Sequence, residues 1–361
     1  MKLLIINDLN PTMKSVATLG GYCRNANKFG HHISIYGDRP KYLRSFKYTK
    51  NYKEYDYALF IIHIPQDIPG LPDLARLLDN IPKEKRIVID CLGHYNKTIR
   101  IKHDFNHLEK LDGHQGWEWI DAIKAISDKI LQPTSDPLMD DVYPFFFHAF
   151  DSDIIDKPHL SPSEAARSWA KSRRKHGIIY TGHNWQKWEQ ILEILKATDK
   201  NSDKIGPPLL TGWNWDKRPD WAIEKGIKGA DLDSKLLKKL NVQTQQAIPF
   251  HKVIPHSRRG RICPIVHRPL FNKMGFVTNR TFETFCTDTI PLIMFNPTLA
   301  EYIYGPEASK LIPDSDIITH INNIIESPQY FWQAVIDIRK HLSLHHSFEH
   351  RFSELETILK N

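Results

Sequence analysis

The sequence predicts an α/β protein of two Rossmann-like, doubly wound domains that face each other across a cleft, with C-terminal helices closing the pair. Short apolar runs alternate with stretches of helical spacing, a pattern typical of parallel strands covered by helices on both faces. The alternation stops at a polar segment in the middle of the chain and then begins again. A long amphipathic helical tail ends the chain.

The first half of the chain carries five apolar runs with the length and composition of buried strands. Gly30 suits the C-terminal cap of the first helix between them. Pro-Gly punctuation precedes the second helix. The predicted strands are 3–6, 32–36, 57–62, 86–90 and 129–132, and the predicted helices are 16–29 and 71–78.

Residues 151–176 are rich in Asp, Ser, Lys, Arg and Pro, and we interpret them as a linker with an exposed basic helix at 163–175. The strand–helix alternation then resumes. The predicted strands are 177–180, 209–211, 246–248, 261–266 and 290–294, and the predicted helices are 185–196, 281–285 and the tail 329–359. We expect a first domain at 1–160, a linker at 161–176, a second domain at 177–335 and a helix at 336–361 that packs back on the first domain.

Composition limits the classes of function. The chain has 361 residues, a formal net charge of +7 and four cysteines without a CxxC pair. The charge favours an anionic partner such as nucleic acid, a phosphate ester or an acidic membrane surface, or it is only a solvated surface. The cysteine spacing argues against a disulfide framework and a structural zinc site. No apolar run reaches the length of a signal-peptide core or a membrane span, so we expect a soluble intracellular protein.

The segment 279–293 carries the most informative chemistry. Arg280 and Glu283 are three residues apart and share a face of the predicted helix. An Arg beside the free N–H groups of a helix start binds phosphate, and a carboxylate one turn later accepts hydrogen bonds from a ribose diol. The alternative is an ion pair on a surface helix.

This segment resembles the nucleotide-sugar site of glycosyltransferases with the GT-B architecture, where an Arg/Lys-x-x-Glu-like helix precedes a strand ending in Pro-Leu-Ile. Residues 29–36 resemble the helix, Gly-His and strand that open such proteins, and 177–184 resemble the strand and Gly-containing loop that open their donor domain. The layout is similar to the phage DNA β-glucosyltransferases and to the spore-maturation-type glycosyltransferase-like family. The resemblance covers most of the chain.

The resemblance implies transfer of a sugar from a nucleoside-diphosphate sugar, most readily a UDP-sugar, to an acceptor hydroxyl. No essential metal is implied. Arg280, Lys187 and the loop amides would stabilise the charge on the leaving diphosphate, and Glu283 would hold the ribose. Phe250 would lie near the nucleobase, or it belongs to the core. The implied donor-binding residues are Gly182, His183, Asn184, Lys187, Phe250, Arg280, Thr281 and Glu283.

The resemblance also implies a general base after a strand of the first domain, where Asp90 ends the run 86–90. His94 is the alternative base, and capping its own loop is the alternative role for Asp90. Many retaining members carry two glutamates spaced E-x7-E, but the residue eight before Glu283 is Gly275. That difference favours an inverting mechanism.

The layout and the basic balance favour hydroxymethylated DNA as the acceptor, and a phage origin would place the protein in the host cytoplasm. A surface glycan, a protein or a small molecule is an alternative acceptor, and a catalytically silent nucleic-acid- or sugar-binding protein is an alternative function. Candidate acceptor contacts are the aromatic cluster 213–221 and the basic residues Arg167, Lys171, Arg173, Arg174, Lys175, Arg258, Arg259, Arg261 and Arg268.

Two patterns mimic metal sites. Asp151 and Asp153 form a DxD in the predicted linker, and the tail contains two pairs of histidines four residues apart, at 341/345 and 346/350. We interpret the first as a chance match and the second as solvated or domain-contact histidines.

Overall fold

A seven-stranded parallel sheet forms the centre of the N-terminal half. The computed structural model describes residues 1–8, 15–39, 46–96, 99–102, 107–110, 117–157, 159–171, 174–199, 201–224, 226, 228–314 and 316–360. The strands of this half are β1 Lys2–Ile6, β2 His32–Tyr36, β3 Tyr48–Thr49, β4 Tyr57–Ile62, β5 Arg86–Asp90, β6 Ile99–Lys102, β7 His107–Lys110, β8 Lys129–Gln132 and β9 Val142–Pro144. The sheet order is β3-β2-β1-β4-β5-β8-β9, while β6 and β7 form a separate antiparallel hairpin.

A five-stranded parallel sheet forms the centre of the C-terminal half. Its strands are β10 His176–Thr181, β11 Leu209–Thr211, β12 Gln243–Gln245, β13 Gly260–Ile265 and β14 Ile290–Ile293, in the order β12-β11-β10-β13-β14. The strand order reverses between β10 and β13, as it does between β1 and β4 in the first sheet. Open sheets of this kind bind ligands at the carboxyl ends of their strands, beside such a reversal.

Helices cover both sheets. They are α1 Val16–Asn25, α2 Leu74–Asn80, α3 Trp117–Ile126, α4 Pro162–Lys171, α5 Trp188–Asp199, α6 Ser202–Ile205, α7 Asp220–Glu224, α8 Ser234–Lys239, α9 Val253–Ser257, α10 Pro269–Met274, α11 Asn279–Glu283, α12 Pro297–Tyr304, α13 Ile317–Glu326, α14 Pro328–His345 and α15 Phe348–Lys360. No helix in the described part of the chain combines the length and apolar character that a membrane span requires.

The apolar strands are buried on both faces because alternate residues point into different cores. In β1, Leu3 and Ile5 join a core that includes residues of α1 and α15, while Leu4 and Ile6 join the core beneath α2 and α3. This arrangement explains why the predicted strands are continuously apolar rather than alternating.

The last two helices belong to different halves. Val335 and Ile338 of α14 lie in the core of the C-terminal half, whereas Phe352 of α15 lies in the core of the N-terminal half. The chain crosses between the halves beside residues 145–151, where the amide N of Phe150 donates to the carbonyl O of His346 at 2.8 Å. The return to the first half therefore begins near residue 346 rather than at 336.

A buried arginine ties the two crossing segments together. The guanidinium of Arg351 is fully buried and donates to the carbonyl O of His148 at 3.2 Å and to Nδ1 of His346 at 2.6 Å. It also pairs with Glu354 at 2.7 Å and lies over the ring of Phe146. The domain junction is thus built from polar contacts that no apolar periodicity reveals.

Most sequence-predicted elements are confirmed, with three differences. Gly30 ends the first helical stretch with a φ of 72°, as its prediction required. The strand predicted at 246–248 is wrong, because the strand is Gln243–Gln245. The helix expected at 163–175 is present as α4, but it is not simply an exposed linker helix, because its Trp169 packs into the core of the C-terminal half. The strands β3, β6, β7 and β9 were not predicted.

Candidate active site

A cleft of about 710 Å³ separates the N-terminal helix α1 from residues 248–258 and from α11. Asn279 and Glu283 line it on one side, and Val16 and Ala17 at the start of α1 line it on the other. The side chain of Thr18 bridges the walls, since its Oγ1 contacts Oδ1 of Asn279 at 3.4 Å. The cleft therefore lies between the carboxyl ends of the two sheets, where such folds bind ligands.

Cationic side chains converge where the second sheet reverses its strand order. Lys187 follows β10, Arg268 follows β13, and Arg280 lies on the next helix, α11. The ammonium of Lys187 donates to the Tyr180 hydroxyl at 2.7 Å. Within the described residues, neither Lys187 nor Arg268 forms an ion pair with a carboxylate. This arrangement is an unneutralised site for an anion.

The charges in this group act strongly on one another. Burial, with the positive charges of Arg268 and Arg280, lowers the pKa of Lys187 to about 7. Burial also lowers the pKa of Arg268 to about 10. The imidazole of His183 belongs to the same group: desolvation, followed by the charges of Lys187, Arg280 and Arg268, lowers its pKa to about 4. A bound anion would relieve this mutual repulsion.

Among the described residues, α11 holds the carboxylate beside these cations, that of Glu283. Oε2 of Glu283 accepts from Nη1 of Arg280 at 2.8 Å and from Nδ2 of Asn279 at 3.0 Å. Burial raises the pKa of Glu283, and the charge of Arg280 opposes that shift. Of the sequence-predicted pair, Glu283 lines the cleft, and Arg280 contacts it from the same helix.

Thr281 has a structural position in this helix. Its fully buried Oγ1 contacts Nε2 of His267 at 2.9 Å and accepts from the amide N of Thr278 at 3.2 Å. These contacts fix the start of α11 against the strand end at His267. The expectation that Thr281 binds the donor directly is corrected, since its hydroxyl is enclosed by protein.

Two of the three backbone amides at 182–184, in the loop after β10, donate hydrogen bonds within the protein. The amide N of Gly182 donates to the carbonyl O of Thr211 at 2.8 Å, and that of Asn184 donates to the carbonyl O of Trp213 at 2.9 Å. Only the amide of His183 has no acceptor among the described residues. The predicted contact between loop amides and a diphosphate is therefore restricted to His183.

The side chains of Asn184 and His183 in this loop also contact other groups of the protein. Asn184 is fully buried, and its Nδ2 donates to the carbonyl oxygens of Asn214 and Asp231. His183 stacks on Trp213 with ring centroids 4.3 Å apart, and its Nδ1 accepts from the amide N of Trp213 at 3.0 Å. The ring of His183 is thus neutral and held in one orientation.

Phe250 is not a core residue. It follows β12, is 49% exposed and lines the cleft together with Ile248 and Pro249. An exposed aromatic ring at the edge of a cleft offers a surface on which a planar ring stacks. Phe250 therefore stays a candidate for the nucleobase end of the site.

Asp90 is fully buried and caps its own loop. Its Oδ1 accepts from the amide N of Gly93 at 3.0 Å and of His94 at 3.1 Å. Its Oδ2 accepts from the amide N of Tyr95 at 2.8 Å and from Nε2 of Gln132 at 3.0 Å. These four donors support the alternative role of Asp90, in which it caps its own loop and holds the segment that carries the half-buried His94. The role of Asp90 as general base stays a prediction.

Sequence reasoning missed a group at the strand-order reversal of the first sheet. Nε2 of His63, the residue after β4, lies 2.8 Å from Oγ of Ser15 at the start of α1. Nδ1 of His63 lies 3.8 Å from Oδ2 of Asp67. Ser15 and His63 are 48 residues apart in the chain, so no motif links them. Ser15 and His63 meet because β1 and β4, which they follow in the chain, are neighbours in the sheet.

Several of the basic residues that the sequence suggested as acceptor contacts instead contact other groups of the protein. Arg174 donates to the carbonyl oxygens of Gly260 and Asp288, and Arg258 pairs with Asp156. Arg261 lies over the Trp169 ring. Of the other members, Arg259 contacts His176 and His256, and Arg268 belongs to the cation group near Lys187. Arg167 and Lys175 are exposed, and Arg173 and the Lys171 side chain lie outside the described residues.

The metal-like patterns have other contacts. Asp151 pairs with Arg24 at 2.9 Å, and Asp153 pairs with Lys28. The rings of His341 and His345 contact each other in a tilted arrangement, with centroids 4.6 Å apart. Across the part of the chain that the structure describes, no group of three or more His, Cys, Asp or Glu side chains is arranged to hold a metal ion.

The whole chain is similar in fold to solved glucosyltransferases. No family model and no curated protein matches the sequence. An α-glucosyltransferase (AGT) in complex with UDP superposes with a TM-score of 0.60 at 12% identity, covering 100% of this chain and 99% of the other. The α-glucosyltransferase in complex with UDP-glucose and DNA containing an abasic site has a TM-score of 0.56, with 12% identity and coverage of 100% and 98%. A mutant of T4 phage BGT in complex with UDP-glucose also has a TM-score of 0.56, with 15% identity and full coverage of both chains. The protein has the two-domain GT-B fold of these enzymes.

Proposed function

We propose that the protein is a glycosyltransferase that moves a sugar from a nucleoside-diphosphate sugar to an acceptor hydroxyl. The observation that carries this proposal is the convergence of Lys187, Arg268 and Arg280 where the second sheet reverses its strand order. A diphosphate bound there relieves the repulsion among these cations, of which only Arg280 pairs with a carboxylate, that of Glu283, among the described residues. As the glycosidic bond breaks, negative charge develops on the leaving phosphate, and these cations stabilise it most strongly at that point.

The cleft supports a nucleoside beside this anion site. Glu283 lies at the cleft wall next to Arg280, where its carboxylate accepts hydrogen bonds from a ribose diol. Phe250 and the backbone of Ile248 are at the far wall, in reach of a nucleobase. Solved proteins of this fold are described in complex with UDP and UDP-glucose, so we propose a UDP-sugar as donor.

We propose DNA carrying a hydroxymethylated base as the acceptor. The support comes from the solved neighbours, one of which is described in complex with UDP and a 13-mer DNA containing an HMU base. The net charge of +7 is compatible with a polyanionic acceptor. The basic residues singled out from the sequence add little support, because Arg174, Arg258 and Arg261 are committed to internal contacts.

We propose inversion at the anomeric carbon. The structural neighbours include both α- and β-glucosyltransferases, so they do not discriminate between the outcomes. Inversion requires a base on the acceptor side that removes the hydroxyl proton. Of the sequence candidates, we favour His94, which is held at the end of β5 by the hydrogen bonds of Asp90 to its loop. The absence of a carboxylate at Gly275 agrees with inversion.

Isothermal titration of UDP and UDP-glucose tests the donor site. We expect Arg280→Gln and Arg268→Gln each to weaken UDP binding about 10- to 100-fold, as expected when a hydrogen bond to a charged group is lost. Lys239→Gln is the matched control: it removes an exposed charge from α8 in the same domain, and UDP affinity should stay within twofold.

Measuring the binding and hydrolysis of UDP-, GDP- and ADP-glucose gives outcomes that can refute the proposal. Binding of one of these donors, followed by its slow hydrolysis, supports a transferase. Binding without hydrolysis or transfer to any acceptor identifies a catalytically silent binding protein. Failure of every donor and of the free diphosphates to bind contradicts the proposal at its anion site.

A further inference from the structure

The strand order reverses once in each sheet, and the two positions carry side chains suited to different roles in one reaction. The reversal in the second sheet carries the cations Lys187 and Arg268. The reversal in the first sheet, between β1 and β4, is flanked by Ser15 after β1 and His63 after β4. His94 follows β5, one strand away from that reversal. An acceptor hydroxyl that attacks a donor held at the second reversal approaches from the first.

The geometry points to a proton relay of Ser15 and His63, with the charge of Asp67 beside the imidazole, as the acceptor-side base. This inference rests on the proposed function. The contacts have the order that such a relay needs: Ser15 Oγ lies 2.8 Å from Nε2 of His63, and Oδ2 of Asp67 lies 3.8 Å from Nδ1. A carboxylate on the Nδ1 side favours a proton on that nitrogen, which leaves Nε2 to accept from the serine hydroxyl.

Asp67 is itself held in place. Its Oδ2 accepts from the backbone N of His63 at 3.0 Å and of Ile64 at 3.1 Å. His63 and Asp67 are each only 7% exposed. A carboxylate fixed by two backbone donors at 3.8 Å from Nδ1 is close enough to stabilise, by its charge, the imidazolium that forms when a proton arrives.

Ser15 has a backbone conformation that its surroundings must impose. Its φ is 65° and its ψ is 11°, a left-handed conformation that costs a non-glycine residue about 1 kcal/mol or more. Its side chain makes no capping hydrogen bond to α1, although it occupies the N-cap position. The hydroxyl is directed to His63 instead of to the helix, so capping does not account for the residue.

Contacts across the cleft connect Ser15 with the donor helix. Thr18 lies three residues after Ser15, in the first turn of α1, and its Oγ1 donates to Oδ1 of Asn279 at 3.4 Å. Asn279 in turn donates to Glu283, which pairs with Arg280. Ser15 therefore immediately precedes the turn of α1 that meets the donor-binding helix.

In the proposed step, the acceptor oxygen forms a bond to the anomeric carbon while the bond from that carbon to the phosphate oxygen breaks. The acceptor proton passes to Oγ of Ser15, and the proton of Ser15 passes to Nε2 of His63. The nucleoside diphosphate leaves with the electron pair of the broken bond, against Lys187, Arg268 and Arg280. The charge of Asp67 balances the imidazolium.

The test uses UDP-glucose, with water and with an HMU-containing DNA duplex as acceptors, and measures kcat beside the donor Kd. We expect His63→Gln to lower kcat at least 100-fold with donor Kd within twofold, as loss of a general base does. Ser15→Gly is the sharper variant, because glycine accepts the φ of 65° without strain and keeps the fold. We expect it to lower kcat at least tenfold while Tm stays equal or rises.

Asn241→Gly is the matched control, since Asn241 also has a positive φ, of 50°, and lies outside the cleft. Its kcat should stay within twofold. Ser15→Gly and His63→Gln with unchanged kcat would overturn the relay, and a selective loss in His94→Gln would assign the base to His94. If the wild-type protein binds no donor, that result contradicts the proposed function itself. The relay, which rests on that function, is then contradicted as well.

Discussion

Lys187 should make donor binding depend on pH near neutrality. Burial and the charges of Arg268 and Arg280 lower its pKa to about 7 in the free protein. A bound diphosphate supplies the opposite charge and returns the pKa toward the ordinary lysine value of about 10.4. Donor binding above pH 7 must therefore take up a proton.

The size and sign of the change in donor affinity with pH follow from the linkage between donor binding and protonation of Lys187. Below pH 7 the free protein already carries the proton, so affinity is at its maximum. As pH rises through 7, an increasing fraction of Lys187 must be protonated before the diphosphate binds well, and affinity falls. With a free pKa of about 7, the affinity for UDP-glucose should be about tenfold weaker at pH 8 than at pH 6.

Isothermal titration of UDP-glucose from pH 6 to pH 8 measures this directly. Titrations at pH 8 in two buffers of different ionisation enthalpy should show uptake of about 0.9 proton per donor bound. In Lys187→Arg the charge is retained throughout, so affinity should change by less than twofold over the same range. A wild-type affinity that is equal at pH 6 and pH 8 would refute the assignment of Lys187 to the diphosphate.

Three further substitutions test the roles that the structure gives to buried and exposed groups. Asp90→Ala should lower the free energy of unfolding in urea by about 3 kcal/mol or more, because it strands three buried N–H groups and a Gln132 amide; unchanged stability with abolished transfer would support Asp90 as the base. Arg351→Met should cost about 3 kcal/mol by leaving the crossing segments without their shared donor; an unfolding midpoint equal to wild type would contradict that role. Trp213→Ala should raise the acceptor KM several-fold, because 48% of the ring is exposed beside the donor loop and is able to stack on an acceptor; an unchanged acceptor KM would remove Trp213 from the acceptor surface.

The sequence predicts the central strands of both sheets well, and the reason is burial. In strands such as β5 and β11, every residue is enclosed on both faces, so the apolar run coincides with the strand. Of the strands that were missed, β3 and β9 are at the edges of the first sheet and are only partly buried, and β6 and β7 form a separate antiparallel pair. The shift of β12 to Gln243–Gln245 also reflects burial, because all three of its residues are exposed.

The donor side of the site was predictable because its residues are close in sequence. Arg280 and Glu283 belong to one helix, and their spacing alone places them on one face. Arg268 was assigned only to the basic acceptor set, since its approach to Lys187 depends on the order of β10 and β13 in the sheet.

The acceptor side was not predictable in the same way. A carboxylate at a strand end has the same sequence signature whether it is free or capped, and Asp90 is capped by amides of the three following positions 93–95. Ser15 and His63 meet only because β1 and β4 are neighbours in the sheet. The local path of the loop after β5 decides the first outcome, and the pairing of β1 with β4 decides the second. Apolar periodicity carries no record of either.

The most direct test of the central claim is mass spectrometry of a duplex containing HMU after incubation with the protein and UDP-glucose. The proposed function predicts one added hexosyl unit per modified base, dependent on UDP-glucose and strongly reduced in Arg280→Gln. An unmodified duplex, together with the absence of UDP release and of donor binding, would contradict the claim that the cations Lys187, Arg268 and Arg280 serve a nucleotide-sugar donor.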